Sequence, residues 1–345
     1  MPAVQTGLIL QGGGALGAYE FGVLRRLFEE PGGFAPDVIS GVSIGAINAS
    51  ALAAGRLGPL PTLAAIWEEF TVLTPWIIPE AFQSFASLFG NAGFFHMRTD
   101  YYNLPGWTSF YDTTPLRRLL GQYIDCDRLN TAPPVVALTA TDVSEGCITR
   151  FSNFGHDKVR LSADHIIASG SLPPGFPFTR IEGRAYWDGG LFDNTPLGAA
   201  IDYLKPDRQV RKRLIVVRLF PNKGRVPRNM LEVFDRCFEV VFAQKFSQDL
   251  KTLRQVNGYV AAINAIEDLL QASPPEQAAA IRALPGYQLL IKYLAIQDLI
   301  IIENTSPEIV FGPFDFSKSR IRQRIEAGYR DADVALTASA TNGVQ

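Results

Sequence analysis

Ser43 stands in Gly41-Val42-Ser43-Ile44-Gly45, a G-x-S-x-G motif between DVISGVS (37–43) and a run of small residues, IGAINASALAAG. Where a strand turns sharply into a helix, such a serine is lifted to the tip of the bend. The dipole of the following helix then favours negative charge on its oxygen. The chemistry this predicts is nucleophilic attack by Ser43. A second feature, Gly12-Gly13-Gly14-Ala15-Leu16-Gly17, follows the apolar TGLILQ and opens a helical pattern. It fits G-x-G-x-x-G, and Asp37 lies 20 residues past Gly17, the spacing of a dinucleotide site. Asp37, however, follows a Pro-Gly-Gly-Phe-Ala-Pro stretch and opens a strand where a ribose-binding acid would close one. No Gly-Lys-Ser/Thr follows to make a P-loop. What is left is a row of backbone N–H groups at a helix start, able to hold an anion such as a transient oxyanion.

A serine nucleophile needs a base. The histidines are His96, His156 and His165, all well before the end of the sheet, and an elbow at residue 43 comes too early for the hydrolases that use the order Ser, acid, His, so a Ser-His-Asp triad is the weaker reading. His165, in SADHIIASG, reads as a capped or packed histidine. The other source of a base is a carboxylate. Asp188-Gly189-Gly190 lies in RAYWDGGLFDNTP, between an aromatic strand end and a proline-stopped loop. Two readings of it stand. Asp188 belongs to a hairpin turn and bonds its own backbone, or it is a desolvated general base that must fold onto Ser43 across 145 residues of chain.

The elements around these residues alternate. Apolar runs at 6–11, 37–43, 133–143 and 213–221 read as buried strands. A helix from Ala15 is marked by Leu16, Tyr19, Val23, Leu24 and Leu27. Strand–helix alternation predicts a mostly parallel sheet covered by helices. Two segments break the rhythm. Residues 82–111 carry 10 aromatic side chains, which predict a satellite core, an acyl pocket or a surface that dips into lipid. Residues 228–270 repeat apolar side chains every three or four positions, a helix serving as core packing or as a lid. A turn-rich piece at 272–286, a strand at 299–311 and a last helix from Ser319 follow. A boundary is expected near 220–228, where Pro221, Gly224 and Pro227 cluster.

Composition narrows the class. With 345 residues, 47% hydrophobic and 19% charged, the chain is too apolar for disorder. A net charge of −2 gives no general attraction for nucleic acid. Between residues 207 and 228, eight basic side chains face one acid, a solvated surface or a site for anionic headgroups. Cys126, Cys147 and Cys237 are too scattered for a disulfide framework or a metal clip, which suits the cytoplasm. The first ten residues lack the basic start of a signal peptide. The uncharged stretch 38–55 holds Gly41, Gly45, Asn48 and Gly55 and reads as strand, turn and helix, not as a membrane span. No metal-ligand spacing is present, so neither a metal nor another cofactor is expected.

Taken in order, GGGALG, GVSIG and DGG resemble the three signatures of the patatin-like phospholipases, and the resemblance covers residues 6–201. It extends to ASGSLPPGFPFTRIEGRAYWDGGLFDNTPL at 168–197. The resemblance implies an α/β three-layer sandwich with a mostly parallel central sheet, a catalytic domain over 6–220 and a helical C-terminal extension over 221–340. It implies a Ser–Asp dyad, with Ser43 as nucleophile, Asp188 as general base and the amides of Gly13 and Gly14 as oxyanion hole. Gly12, Gly17, Gly41, Gly45, Gly189 and Gly190 would be its motif glycines. The implied activity is hydrolysis of fatty-acyl esters of lipids through an acyl-enzyme. Acyl transfer, or a silent lipid-binding role, is the alternative. The implied partner is a lipid or acyl ester, with peripheral contact at a membrane surface. Many members carry Arg or Lys where this chain has Leu16. The tail FDFSKSRIRQRIEAGYRDADVAL (314–336) resembles an uncharacterised C-terminal region of bacterial members.

Overall fold

The computed structural model describes residues 4–72, 82–83, 86–205, 207, 209–221, 224, 226–305 and 312–342. Its strands are β1 (Val4–Leu10), β2 (Val38–Val42), β3 (Gly90–Asn91), β4 (Phe95–Met97), β5 (Tyr111–Asp112), β6 (Val135–Asp142), β7 (Cys147–Ser152), β8 (Thr179–Ile181), β9 (Arg184–Asp188), β10 (Arg211–Arg218) and β11 (Asp298–Glu303). The main sheet runs β11-β10-β1-β2-β6-β9-β8, with β7 also on β6. Pairings from β11 to β6 are parallel, while β7, β9 and β8 enter antiparallel. The aromatic segment supplies β3, β4 and β5, a separate antiparallel sheet.

Helices cover both faces of the main sheet because its central strands are apolar on both sides. Leu8 and Leu10 of β1 and Ile215 and Val217 of β10 join a core with α1 (Gly17–Phe28), α2 (Ile44–Ala54) and α3 (Pro59–Phe70). Ile9, Leu214 and Val216 point the other way, against the helix Leu197–Asp202 and Phe246 and Leu253 of the long helix Met230–Gln271. The alternation is the period-2 geometry of strands acting on continuous apolar runs. In α2 seven of the eleven residues are Gly, Ala or Ser, so the helix lies close against the sheet and all eleven residues are buried.

The segment beyond residue 221 is integrated into this architecture. β11 lengthens the parallel sheet beside β10, and the C-terminal helix Lys318–Asn342 lies along α1. The piece at 272–286, expected to be turn-rich, contains the helix Pro275–Arg282 and leads into the helix Pro285–Leu290, each with proline in its first turn. Proline there lacks only an N–H that would have gone unpaired. The expected strand at 299–311 begins one residue earlier and closes at Glu303, and 306–311 lie outside the described residues. The basic run at 207–228 is partly consumed by this strand. Arg211 and Arg213 pair with Asp298 at 2.5 and 3.6 Å, and Arg218 with Glu303 at 2.9 Å. Arg208, Lys223 and Arg225 lie outside the described residues.

Candidate active site

The stretch 38–55 folds as β2, a turn at Ser43 and α2. Ser43 sits at φ 56°, ψ −123°, one of two non-glycine residues with positive φ among those described. An L-residue in this region is strained by about 1–3 kcal/mol and persists only where its surroundings enforce it. The enforcement is visible. A side chain on Gly41 would come 2.5 Å from the Gly45 carbonyl oxygen, and one on Gly45 would come 2.5 Å from that of Leu10. The bend therefore closes only with glycine on both sides. The Ser43 N–H donates to both the carbonyl and the hydroxyl oxygen of Ser169, each at 3.0 Å. Ser169 Oγ in turn donates to the Thr139 carbonyl at 2.7 Å. Ser169 is a positioning residue that the motifs did not single out, and its place in ASGS at the end of a helix was the only hint.

Asp188 reaches Ser43 through strand register. β2 pairs with Val135–Thr139 of β6, and β7 pairs with Ala137–Asp142, so these two must occupy opposite edges of β6. β9 pairs with Ala140–Asp142, which β7 also covers, and so lies on the β2 edge. On that edge β2 ends at Val42 opposite Thr139, and β9, running the other way, ends at Asp188 opposite Ala140. Two chain ends thus abut at adjacent rungs. The Asp188 carboxylate and Ser43 line the same cavity, and the Ser43 side chain is close enough to lower the Asp188 pKa. Its Oδ1 accepts from the Gly190 N–H at 2.7 Å, the bond to its own backbone that the turn reading expects, while the carboxylate shares a cavity with Ser43. The Asp188 main chain is held by the Ser171 carbonyl (3.0 Å) and the Thr141 hydroxyl (2.9 Å). Gly189 lies against the Thr139 carbonyl.

Electrostatics follow from burial. Asp188 is only 2% exposed, and burial pushes its carboxyl up to about 7, with the bonds from Ser43 and the Gly190 N–H pulling the other way. Among the described residues no histidine borders the cavity at Ser43. His165 instead completes a capping box with Ser162 and packs edge-on against Phe151, and burial lowers its pKa. Among the described residues no group of three His, Cys, Asp or Glu side chains is arranged to hold a metal.

The glycine-rich stretch bends through Gly14–Leu16 as one 3-10 turn and then becomes α1. Gly12 exchanges hydrogen bonds with Asn194, its N–H donating to the Asn194 carbonyl at 3.2 Å and its carbonyl accepting from Asn194 Nδ2 at 3.0 Å. Gln11 is held by Thr195, and its Oε1 accepts from the N–H groups of Leu219 and Phe220. Gly17 packs against Ile44 at the start of α2. Among the described residues the N–H groups of Gly13 and Gly14 donate to no protein acceptor. Both line the cavity that holds Ser43 and Asp188. Asn194 follows six residues after Asp188, and only its presence in the long resemblance pointed to it.

The family model for patatin-like phospholipases matches residues 8–201. The chain belongs to the patatin-like phospholipases. This is a family of lipid hydrolases, and its fold is the mostly parallel, helix-flanked sheet described above. Among solved structures, this patatin-like chain is similar to VipD from Legionella pneumophila, at 16% identity and a TM-score of 0.40. The match spans 98% of this chain and 67% of VipD. It is also similar to the heterodimeric ExoU–SpcU complex from the type III secretion system of Pseudomonas aeruginosa, at 15% identity and a TM-score of 0.31. That match spans 96% of this chain and 75% of the other. A search of the curated proteins finds no match.

The patatin-like site opens into an apolar cavity. Phe94 and Phe95 from the aromatic segment, Leu172 and Phe176, and Phe238 and Phe242 from the long helix are among its walls. Phe94 and Phe95 also belong to the main core, so the aromatic segment is core and cavity wall at once. The long helix, expected as core packing or lid, is core packing throughout, with Phe246 and Leu253 in one cluster and Phe242, with Phe238 against it, in the other, where both also line the cavity. The interior is about 60 Å³, on a scale where one water takes about 10–15 Å³. Its lining is dominated by Phe, Leu and Ile side chains, a surface that suits an acyl chain. Among the described residues no helix is long and apolar enough to cross a membrane.

Proposed function

We propose that this protein hydrolyses fatty-acyl esters of lipids, phospholipids included, with Ser43 as nucleophile and Asp188 as general base. Asp188 takes the Ser43 proton as Oγ attacks the ester carbonyl. The carbonyl oxygen becomes an oxyanion held by the N–H groups of Gly13 and Gly14, which donate to no protein acceptor among the described residues. Collapse of this intermediate expels the alcohol or lysolipid, which takes the proton from Asp188, and leaves an acyl-enzyme on Ser43. Water enters, gives its proton to Asp188 and attacks the acyl carbon. Ser43 Oγ then departs as the fatty acid leaves, recovering its proton. The observation that carries the reading is a buried carboxylate that shares one apolar cavity with a strained serine and the glycine-rich loop. Desolvation makes that carboxylate basic enough to act near neutral pH.

Peripheral contact with a lipid surface belongs to the same reading. From Tyr101 to Tyr111 no side chain is charged, and the turn Tyr101–Gly106 leaves Tyr101, Tyr102 and Leu104 exposed. Such side chains suit the boundary between water and lipid. This stretch is tied to the cavity wall, because Phe110 and Tyr111 donate N–H bonds to the carbonyls of Pro174 and Gly175, just before Phe176. The test is release of fatty acid from phosphatidylcholine vesicles and of p-nitrophenol from acyl esters. Wild type should be active and Ser43→Ala and Asp188→Asn slower by about a thousandfold or more. Equal rates from all three would end this proposal.

A further inference from the structure

The tail 314–336 remains without a role after the dyad and the cavity are accounted for. Its residues are engaged with the glycine-rich loop. Gly312–Phe314 form a 3-10 turn, and Pro313 and Phe314 line the cavity beside Gly12, Gly13 and Gly14. Gly14 sits at φ +55°, and a side chain there would run into the Pro313 carbonyl oxygen. The turn thus backs the loop at Gly14, whose N–H the proposed hydrolase mechanism assigns to the oxyanion. The turn is itself held. Arg324, in the second turn of the C-terminal helix and only 4% exposed, donates from Nη1 to the Asp315 carbonyl at 2.7 Å and from Nη2 to the Gly312 carbonyl at 2.8 Å. Asp315 Oδ1 accepts from the Ser317 N–H at 3.0 Å, fixing the step from turn to helix.

The helix that carries Arg324 is locked onto α1, the helix that the loop begins. Gly22 and Gly328 let the two backbones touch, since a side chain on either would strike the other helix's carbonyl oxygens, those of Ile325 and Tyr19. Tyr19 donates its hydroxyl to Asp331 at 2.9 Å, and Arg26 pairs with Asp333 at 2.7 Å. Loop, α1, C-terminal helix and turn therefore form a closed ring of contacts, with Arg324 as the brace across it. Leu16 is buried in the main core and brings no charge to the loop. Backing for the loop comes instead from the Pro313 main chain at Gly14.

We propose that Arg324 is a positioning residue for the oxyanion hole: by fixing the Gly312–Asp315 carbonyls it seats Pro313 behind Gly14 and keeps the loop amides aimed at the reacting carbonyl. The planar guanidinium suits this because it spans two carbonyls from one buried point, which a lysine ammonium on a flexible stem does less well. The proposal rests on the hydrolase reading above, and the experiment separates the two.

Full-length wild type, Arg324→Ala, Arg324→Lys and Arg322→Ala are compared on p-nitrophenyl hexanoate, with kcat and KM determined separately alongside thermal melts and fluorophosphonate labelling of Ser43. Arg322 pairs with Glu326 on the outer face of the same helix and serves as the control. Loss of one aimed oxyanion donor costs about 100- to 1000-fold, so a loosened loop is expected to lower kcat about 10- to 100-fold in Arg324→Ala, with KM within about twofold. Labelling should slow in parallel. Added guanidinium should restore part of the loss in Arg324→Ala and none in Arg322→Ala. If Arg324→Ala does not fold, Arg324→Lys carries the test, with an expected drop in kcat of about 5-fold for one carbonyl left unheld. A folded Arg324 variant with wild-type kcat overturns the brace, as does a loss unchanged by guanidinium that tracks only the folded fraction. An inactive wild type would instead overturn the hydrolase reading.

Discussion

Replacing Asp188 by Asn should abolish activity and at the same time make the protein more resistant to alkaline conditions. The carboxyl is pushed from 3.8 to about 7 by burial, and a displacement of that size corresponds to about 4 kcal/mol. Its sign is fixed by which state binds the proton more tightly. With the folded pKa above the unfolded one, the stabilising contribution is whole below about pH 4, declines as pH rises, and is gone once pH passes about 7. Asparagine keeps the shape and an acceptor for the Gly190 N–H but has no charge to desolvate. Relative to wild type, Asp188→Asn should therefore gain about 2–3 kcal/mol between pH 5 and pH 8. Asp193, pushed up to about 6 by its own burial, titrates in both proteins and drops out of the difference. Urea unfolding of the two proteins at pH 5, 6, 7 and 8 reads it directly. A difference that stays flat with pH, or that shrinks toward pH 8, would refute the claim that Asp188 is held in a desolvated site.

Ester hydrolysis by wild type should fall as pH drops through about 7, because a protonated Asp188 cannot accept the Ser43 proton; a pH–kcat/KM profile without a limb there would contradict this. Ser43→Gly should be more stable than Ser43→Ala by about 1 kcal/mol in chemical denaturation, since glycine removes the strain at φ 56° that alanine keeps. Lys245 lies 3.6 Å from the buried Asp193 and lowers its pKa. Lys245→Met should consequently destabilise the protein more at pH 8 than at pH 5, measured by thermal melts, and a larger effect at pH 5 would count against it. Tyr102→Asp with Leu104→Asp should slow hydrolysis of lipid in vesicles at least about tenfold while sparing a soluble ester; equal loss on both substrates would argue against the turn as a lipid contact.

How far these residues could be read in advance depends on the range of the forces that place them. Gly41, Ser43 and Gly45 announce their bend because its sterics are settled within five residues. β2, α2, β6 and β10 follow from apolar period and turn chemistry in the same local way. Asp188 was legible as a carboxylate in a glycine turn, with two meanings open. Its contact with Ser43 depends on β9 entering antiparallel on the same edge of β6 that β2 uses, a register no local pattern encodes. The buried partners Ser169 and Asn194 act through main-chain hydrogen bonds that many side chains of their size might seek. Walls of the cavity come from 94–95, 172–176, 238–242 and 313–316, where phenylalanine looks the same whether it faces protein or substrate.

The amino-acid order alone thus determined the local geometry: where strands turn into helices, which serine is strained, and which main-chain N–H groups begin a helix. Tertiary structure decided which acid meets the serine, how far burial raises that acid's affinity for a proton, and that a helix from the far end of the chain backs the oxyanion loop. The physical reason is that backbone sterics and side-chain period act over a few residues. Desolvation and strand register exist only once distant segments have excluded water between them.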